Sequence, residues 1–163
     1  MNATGSVCDN EIMKINIVEL NSHISFLNDM MMYQRTFEEK CDQLENLQHI
    51  LYDIITSLSF DPQYEEPFNL FLTKETELLQ EKINKLEKLL PHLQYTILPG
   101  GGRIASYAFV VYSICRRVSF PAVSSSSSTI ATFLDRLTEY FFLLARWLSL
   151  CEERRYVSWI NRK

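Results

Sequence analysis

The stretch that decides the fold runs from Tyr95 to Trp147. It opens with Y-T-I-L-P-G-G-G-R (residues 95–103), continues through S-I-C-R-R (113–117) and, after a run of serines, reaches F-L-D-R-L-T-E-Y-F-F-L-L-A-R-W (133–147). Proline followed by glycines breaks a helix, because proline lacks a backbone N–H group and glycine has a low helix propensity. Apolar residues then recur at three- and four-residue intervals, which predicts two amphipathic helices joined by a serine-rich segment.

The same helical spacing recurs along the rest of the chain, outward from this stretch. These regularly spaced apolar residues form five stripes, one for each predicted helix. Prolines at positions 62 and 67 separate the second stripe from the third, and Pro121 is expected to stop the fourth helix. Short connections and the absence of an alternating strand pattern predict an all-α fold, a five-helix up-and-down bundle. The five stripes are Ile17, Leu20, Ile24, Leu27, Met31; Leu44, Leu47, Leu51, Ile54, Leu58; Leu79, Ile83, Leu86, Leu90, Leu93; Ile104, Ala108, Val111, Cys115, Val118; and Phe133, Leu137, Tyr140, Leu144, Trp147, Cys151.

The length of 163 residues suits one domain with one hydrophobic core. We therefore expect a single helical domain over residues 1–163, with a flexible N-terminus at 1–10, a serine-rich loop at 122–129 and a C-terminal tail at 153–163. The fourth and fifth helices are apolar on more than one face. Either an oligomer interface or a thicker, lopsided core covers this surplus, and we expect the interface. The residues concerned are Tyr107, Phe109, Tyr112, Phe141, Phe142 and Leu143.

Composition and charge exclude several classes of protein. The net charge of −4 and the pI of about 5.4 argue against a nucleic-acid binder, which would carry a basic face. The four cysteines have no C-x-x-C spacing, and the isolated histidines His23, His49 and His92 suggest no ligand set, so no metal site is expected. No apolar run has the length of a membrane span, and no targeting signal is visible, so we expect an intracellular, cytoplasmic protein.

Four blocks of this sequence resemble the PduO-type ATP:corrinoid adenosyltransferases. They are V-E-L-N-S (18–22), L-Q-H-I-L-Y-D-I (47–54) and the 95–117 and 133–147 blocks quoted above. The family transfers the 5′-deoxyadenosyl group of ATP to the cobalt of cob(I)alamin. The resemblance implies a homotrimer with active sites between adjacent subunits, ATP with Mg²⁺ and cobalamin as the bound groups, and leaves a mitochondrial location open.

On the nucleotide side, the resemblance assigns Arg116, Arg117 and Asp135 as inherited candidates. The two arginines match the family's Arg-Arg pair, although an ordinary surface or interface pair is the favoured explanation. Asp135 replaces the family's asparagine near the nucleotide, where a carboxylate repels a triphosphate by about 1 kcal/mol in water. Of the family's N-terminal T-G-D-x-G loop, only a weak match remains here, T-G-S at residues 4–6.

The resemblance also assigns corrinoid-facing and subunit-interface candidates. Tyr95 and Thr96 are the corrinoid-facing pair, and Thr96 replaces the phenylalanine that in the family crowds the lower face of the corrin. Val18, Tyr112 and Arg136 are the interface candidates. Val18 and Tyr112 replace an aspartate and an arginine that in the family form an ion pair across the subunit boundary. Losing both together avoids a buried unpaired charge, so the interface can persist in apolar form.

Taken together, these replacements predict a cobalamin adenosyltransferase-like protein that is catalytically impaired or inactive. Five sites depart from the family pattern in addition to the reduced N-terminal loop: Val18, Thr96, Tyr112, Ser119 and Asp135. Two alternatives stay open. One is an active or weakly active corrinoid adenosyltransferase, and the other is a non-catalytic scaffold, interaction module or corrinoid-binding protein.

Overall fold

The computed structural model describes residues 3–59, 62–125, 128–154 and 157–159. The predicted all-α, five-helix bundle is confirmed. Two single-turn 3₁₀ helices, Arg35–Phe37 and Pro62–Tyr64, precede the second and third helices. The helices are α1 Ala3–Met32, α2 Glu38–Ser57, α3 Glu65–Leu89, α4 Arg103–Ser125 and α5 Ser128–Cys151.

Helix packing follows the predicted apolar stripes. The α1 stripe from Ile17 to Met31 is fully buried, and α1 packs against both α2 and α4. Helix α5 packs against α4 and α3, so α4 and α5 lie at the centre of the bundle. Tyr140 and Phe133 of α5 are among the largest fully buried side chains. Each large apolar side chain buried in this way contributes about 1.5–3 kcal/mol of transfer free energy.

Three predicted boundaries are wrong. Helix α1 begins at Ala3, inside the segment expected to be a flexible N-terminus. Helix α4 continues past Pro121 to Ser125, and α5 begins at Ser128. Helical backbone therefore occupies most of the expected loop at 122–129, of which residues 126–127 lie outside the described residues. Val118, one turn before Pro121, is buried in the core, and this tertiary packing outweighs the helix-breaking tendency of the proline.

The C-terminal tail is also more ordered than its sequence predicted. Helix α5 ends at Cys151, and the described residues 157–159 run antiparallel to the 96–98 segment. The Leu98 N–H donates to the Val157 carbonyl over 2.8 Å, and the Trp159 N–H donates to the Thr96 carbonyl over 2.7 Å. These two hydrogen bonds tie part of the predicted tail, 153–163, to the loop that precedes α4.

Three of the six surplus apolar residues of α4 and α5, Phe109, Phe141 and Leu143, are buried in the core of this chain, as a thicker core requires. The other three, Tyr107, Tyr112 and Phe142, are partly buried against that core, and the expected oligomer interface stays a prediction. The exposed apolar side chains lie largely on other surfaces, and one group of them follows α1: Ile12, Ile15, Val18 and Phe26. Among the described residues, no helix is both long and apolar enough to cross a membrane.

Candidate functional site

The loop of three glycines before α4, residues 100–102, is closed by a carboxylate from the far end of α5. The Glu152 carboxylate accepts hydrogen bonds from the backbone N–H groups of Arg103, Ile104 and Ala105, at 3.0, 3.3 and 2.9 Å. A Cβ atom at Gly102, where φ is +120°, would overlap this carboxylate. The amide groups that a phosphate would need at the start of α4 are therefore occupied by the chain's own anion. The glycines position α4, as the breaker interpretation predicted.

Sequence reasoning missed Glu152 as part of this loop. The residue lies 49 positions after Arg103, and nothing in its local sequence distinguishes it from the adjacent Glu153. Only the antiparallel packing of α4 on α5 brings the end of one helix to the start of the other. A capping carboxylate of this kind is invisible to local capping rules, which look within a few residues of a helix start.

The corrinoid-facing candidates Tyr95 and Thr96 lie on the surface of the extended segment before the glycines. The structure places Trp159 directly beside Thr96 through the backbone hydrogen bond between them. The Trp159 side chain is 53% exposed, and Tyr95 is also exposed. An aromatic surface thus borders Thr96, although the side chain at Thr96 itself is small. Trp159 was missed because it lies in a segment with no helical pattern.

The adjacent arginines on α4 have different partners. Arg117 forms an ion pair with Glu19 of α1. Arg116 approaches only the Tyr112 hydroxyl, at 3.5 Å, and has no acidic partner among the described residues. The two guanidinium groups therefore do not act as one clamp within the single chain. One is neutralised and the other is exposed and free of an ion pair.

The start of α5 carries a second set of neutralised charges. The Asp135 carboxylate lies 2.6 Å from the Arg136 guanidinium, which also pairs with Glu139. The hydrogen bond from Arg136 to Asp135 is the main cause of a raised pKa of Arg136, and the neighbouring carboxylates act in the same direction. Arg136, assigned by resemblance to the subunit interface, is thus engaged inside its own chain. The formal charge of the three groups together is −1.

The other two interface candidates lie on different surfaces. Val18 is exposed on α1, next to Glu19. Tyr112 is half-buried on α4, and its ring lies 5.5 Å from the ring of Phe142 on α5. A contact between Val18 of one copy and Tyr112 of another stays a prediction.

No metal-binding cluster of histidine, cysteine or carboxylate side chains occurs among the described residues. His23 instead lies 2.6 Å from the Tyr107 hydroxyl, which accounts for its place between α1 and α4. His49 and His92 are exposed. Cys41, Cys115 and Cys151 are free thiols.

Comparison with known proteins identifies the family. The family model described as cobalamin adenosyltransferase matches residues 16–148. The corrinoid adenosyltransferase of Bacillus subtilis is 32% identical over 136 residues, covering 80% of this chain and 69% of its own. Human corrinoid adenosyltransferase MMAB is 29% identical over 141 residues, covering 82% of this chain, which spans only 56% of the human protein's length.

Solved structures agree with the sequence relatives. A variant PduO-type ATP:corrinoid adenosyltransferase from Lactobacillus reuteri, in complex with cobalamin and ATP, superposes with a TM-score of 0.82 at 25% identity. The match covers 94% of this chain and 87% of that one. With the bundle, the order of the blocks and the family match in agreement, the chain belongs to the cobalamin adenosyltransferase family.

Proposed function

We propose that this chain is a cobalamin adenosyltransferase-like protein that has lost the ATP half of the family's reaction and is catalytically impaired or inactive. One observation carries the proposal. The charges that the resemblance assigns to the nucleotide side are neutralised within the chain, Arg117 by Glu19 and Asp135 by Arg136. Arg116 is the one of these candidates that has no ion pair among the described residues.

A triphosphate leaving group needs cations and amide N–H groups that are free to stabilise its growing charge. Binding at Arg117 would first have to separate the guanidinium from Glu19. Asp135 would face the phosphates with a negative charge, which costs about 1 kcal/mol in water and more where solvent is excluded. The residues on this side therefore fit MgATP poorly, and we derive no reaction step through it.

An adenosyl-transfer assay tests the proposal. The purified protein is given MgATP and chemically reduced cob(I)alamin, and formation of the cobalt–carbon bond is followed by absorbance. The Bacillus subtilis relative serves as the positive control. We expect no transfer above the rate without protein. Turnover comparable to that of the relative would support the alternative of an active enzyme instead.

Retained corrinoid binding without transfer is the second candidate function. It is favoured by the exposed aromatic residues Tyr95 and Trp159, which border the corrinoid-facing position Thr96. Stacking on Trp159 would substitute for part of the aromatic surface lost at Thr96. Titration with cob(II)alamin distinguishes the outcomes, because a bound corrinoid with a displaced lower ligand changes its absorbance. Absence of any binding would leave a scaffold or interaction role.

We further propose a homotrimer, as the resemblance implies. The exposed apolar group on α1 supports it, since Ile12, Ile15 and Val18 are exposed and Phe26 is still 51% exposed although its ring contacts Tyr107. Val18, an interface candidate, belongs to this group. Copies that cover it would place the inherited site between adjacent subunits.

A further inference from the structure

Arg146 of α5 is a buried cation that forms no ion pair within the described part of the chain. Its residue is only 6% exposed. Its Nη2 atom donates to the Pro91 carbonyl at 2.5 Å, and its guanidinium lies 5.9 Å from the centre of the Phe142 ring. No carboxylate of the described residues forms an ion pair with it, and its buried Nε atom has no hydrogen-bond partner.

An arrangement of this kind is electrostatically incomplete. A guanidinium stays protonated at every pH a folded protein survives, so it cannot relieve burial by losing its charge. A buried cation without an anion is destabilising by several kcal/mol unless its donors are satisfied. The Pro91 carbonyl and the Phe142 ring satisfy one N–H group and one face of the guanidinium. The Nε atom is itself buried away from solvent and unsatisfied, which adds to this cost, so an anion can approach only the part of the guanidinium that faces a cavity.

The side chain of Arg146 lines an open cavity of about 350 Å³ between the end of α3, the segment after it and α5. Leu90, Leu93 and Leu143 form apolar parts of its lining. Two carboxylates, Glu87 and Glu139, also line it. Glu139 is paired with Arg136, whereas Glu87 forms no ion pair among the described residues.

We propose that this cavity binds a small organic carboxylate, with the carboxylate on the part of the Arg146 guanidinium that lines the cavity and the apolar part against Leu90, Leu93 and Leu143. Guanidinium and carboxylate match in planarity and form charge-assisted hydrogen bonds. A single negative charge suits the site because Glu87 and Glu139 repel a multiply charged phosphate. The site uses none of the inherited nucleotide candidates, so it stands independently of the proposed loss of ATP chemistry.

The test compares three probes at constant ionic strength by ligand-observed NMR and calorimetry. Sodium benzoate carries the carboxylate, benzamide is its neutral counterpart of the same shape, and inorganic phosphate is the anion without an apolar part. We expect benzoate to bind at least about tenfold more tightly than either of the other probes, the ratio that the loss of one charge-assisted contact gives. Equal binding of benzoate and benzamide, or no binding of benzoate, would overturn the proposal.

Two exposed glutamates of α3 provide a matched pair of variants. Glu87→Gln removes a negative charge from the lining and is expected to tighten benzoate binding about threefold. Glu81→Gln makes the same change on the same helix at a residue outside the cavity lining, and is expected to leave the affinity unchanged. Identical effects of the two variants would show that benzoate binds elsewhere.

Arg146→Lys tests the guanidinium itself. Lysine keeps the charge but has no planar guanidinium to match a carboxylate, so benzoate binding should fall about tenfold or more. Circular dichroism and cooperative unfolding establish whether this variant folds. If it does not, the benzamide comparison and the glutamate pair still decide the question. A folded Arg146→Lys variant with unchanged benzoate affinity would contradict the proposal.

Discussion

At the scale of single residues, one carboxylate organises the start of α4. Glu152 accepts three backbone N–H groups that the helix cannot satisfy by itself, and so neutralises the partial positive charge at its N-terminus. Arg117 and Arg136 are likewise paired within the chain. Of the three nucleotide candidates, Arg117 and Asp135 thus each have an oppositely charged partner within the chain.

Replacing Glu152 by glutamine should destabilise the fold by about 1–2 kcal/mol, because a charged acceptor of three N–H groups becomes a neutral one. The measurement is the free energy of unfolding in urea. Glu153→Gln is the matched control, since Glu153 has no hydrogen bond from its carboxylate among the described contacts. Equal losses in the two variants would show that the Glu152 contacts contribute nothing specific.

Cys115 gives a prediction about pH. Burial raises the pKa of this thiol from 9.0 to about 12, although the hydrogen bond from Thr138 lowers it somewhat. Because the folded-state pKa is the higher one, the stabilisation is complete below pH 9.0 and is lost as the pH rises towards about 12. The free energy of unfolding should fall by up to about 1.4 kcal/mol per pH unit in this window from this thiol alone.

Urea unfolding of the wild type and of Cys115→Ala, each at about pH 8 and about pH 10, checks this sign. Burial also raises the pKa of Tyr140, and that contribution remains in both proteins. The alanine variant should therefore lose less stability over the interval than the wild type. The same pH dependence in both proteins would contradict the assignment to Cys115.

At the scale of the elements, the loop before α4 fits against the last turn of α5. Gly101 has a φ of +96°, and a Cβ atom there would overlap the Ser149 side chain. The helices themselves were predictable, because apolar spacing depends only on nearby residues. The start of α1 and the continuation of α4 through Pro121 could not be predicted in this way. Each depends on tertiary packing, which the local helix-breaking and capping residues do not reveal.

Gly101→Ala should destabilise the fold by about 1–3 kcal/mol, through backbone strain and overlap with Ser149. Gly100→Ala is the matched control, because Gly100 also has a positive φ, +157°, whereas a Cβ atom there has no atom within 4 Å, so the difference between the variants reports the overlap with Ser149. Thermal unfolding of both variants measures the difference. A cost at Gly100 as large as that at Gly101 would mean that the close approach to Ser149 has no energetic weight.

At the scale of the whole molecule, the intersubunit site that the family resemblance implies would need more than one copy. The family and the bundle followed from motif order and apolar periodicity, since both survive many substitutions. The contacts made by Glu152, Trp159 and Arg146 did not follow, because they join segments far apart in the chain. Whether Val18 and Tyr112 meet is likewise a question about the assembly.

We predict a homotrimer at micromolar concentration, measured by sedimentation, in which Val18 and Tyr112 touch across the subunit boundary.

Tyr112→Arg alone should weaken the trimer by placing an unpaired charge in an apolar contact, and adding Val18→Asp should recover part of the loss. Additive effects on trimer dissociation would show that the two positions are not in contact. Sedimentation of the wild type as a monomer would remove the basis for an intersubunit site.

Calorimetric titration with MgATP tests the central claim most directly, because the proposed loss of nucleotide binding is what would separate this chain from an active relative. The Bacillus subtilis corrinoid adenosyltransferase, titrated under the same conditions, is the positive control. With Arg117 paired to Glu19 and Asp135 facing the inherited phosphate region, we predict no detectable heat or a dissociation constant weaker than about 1 mM, near −4 kcal/mol. A micromolar dissociation constant for MgATP would contradict the account.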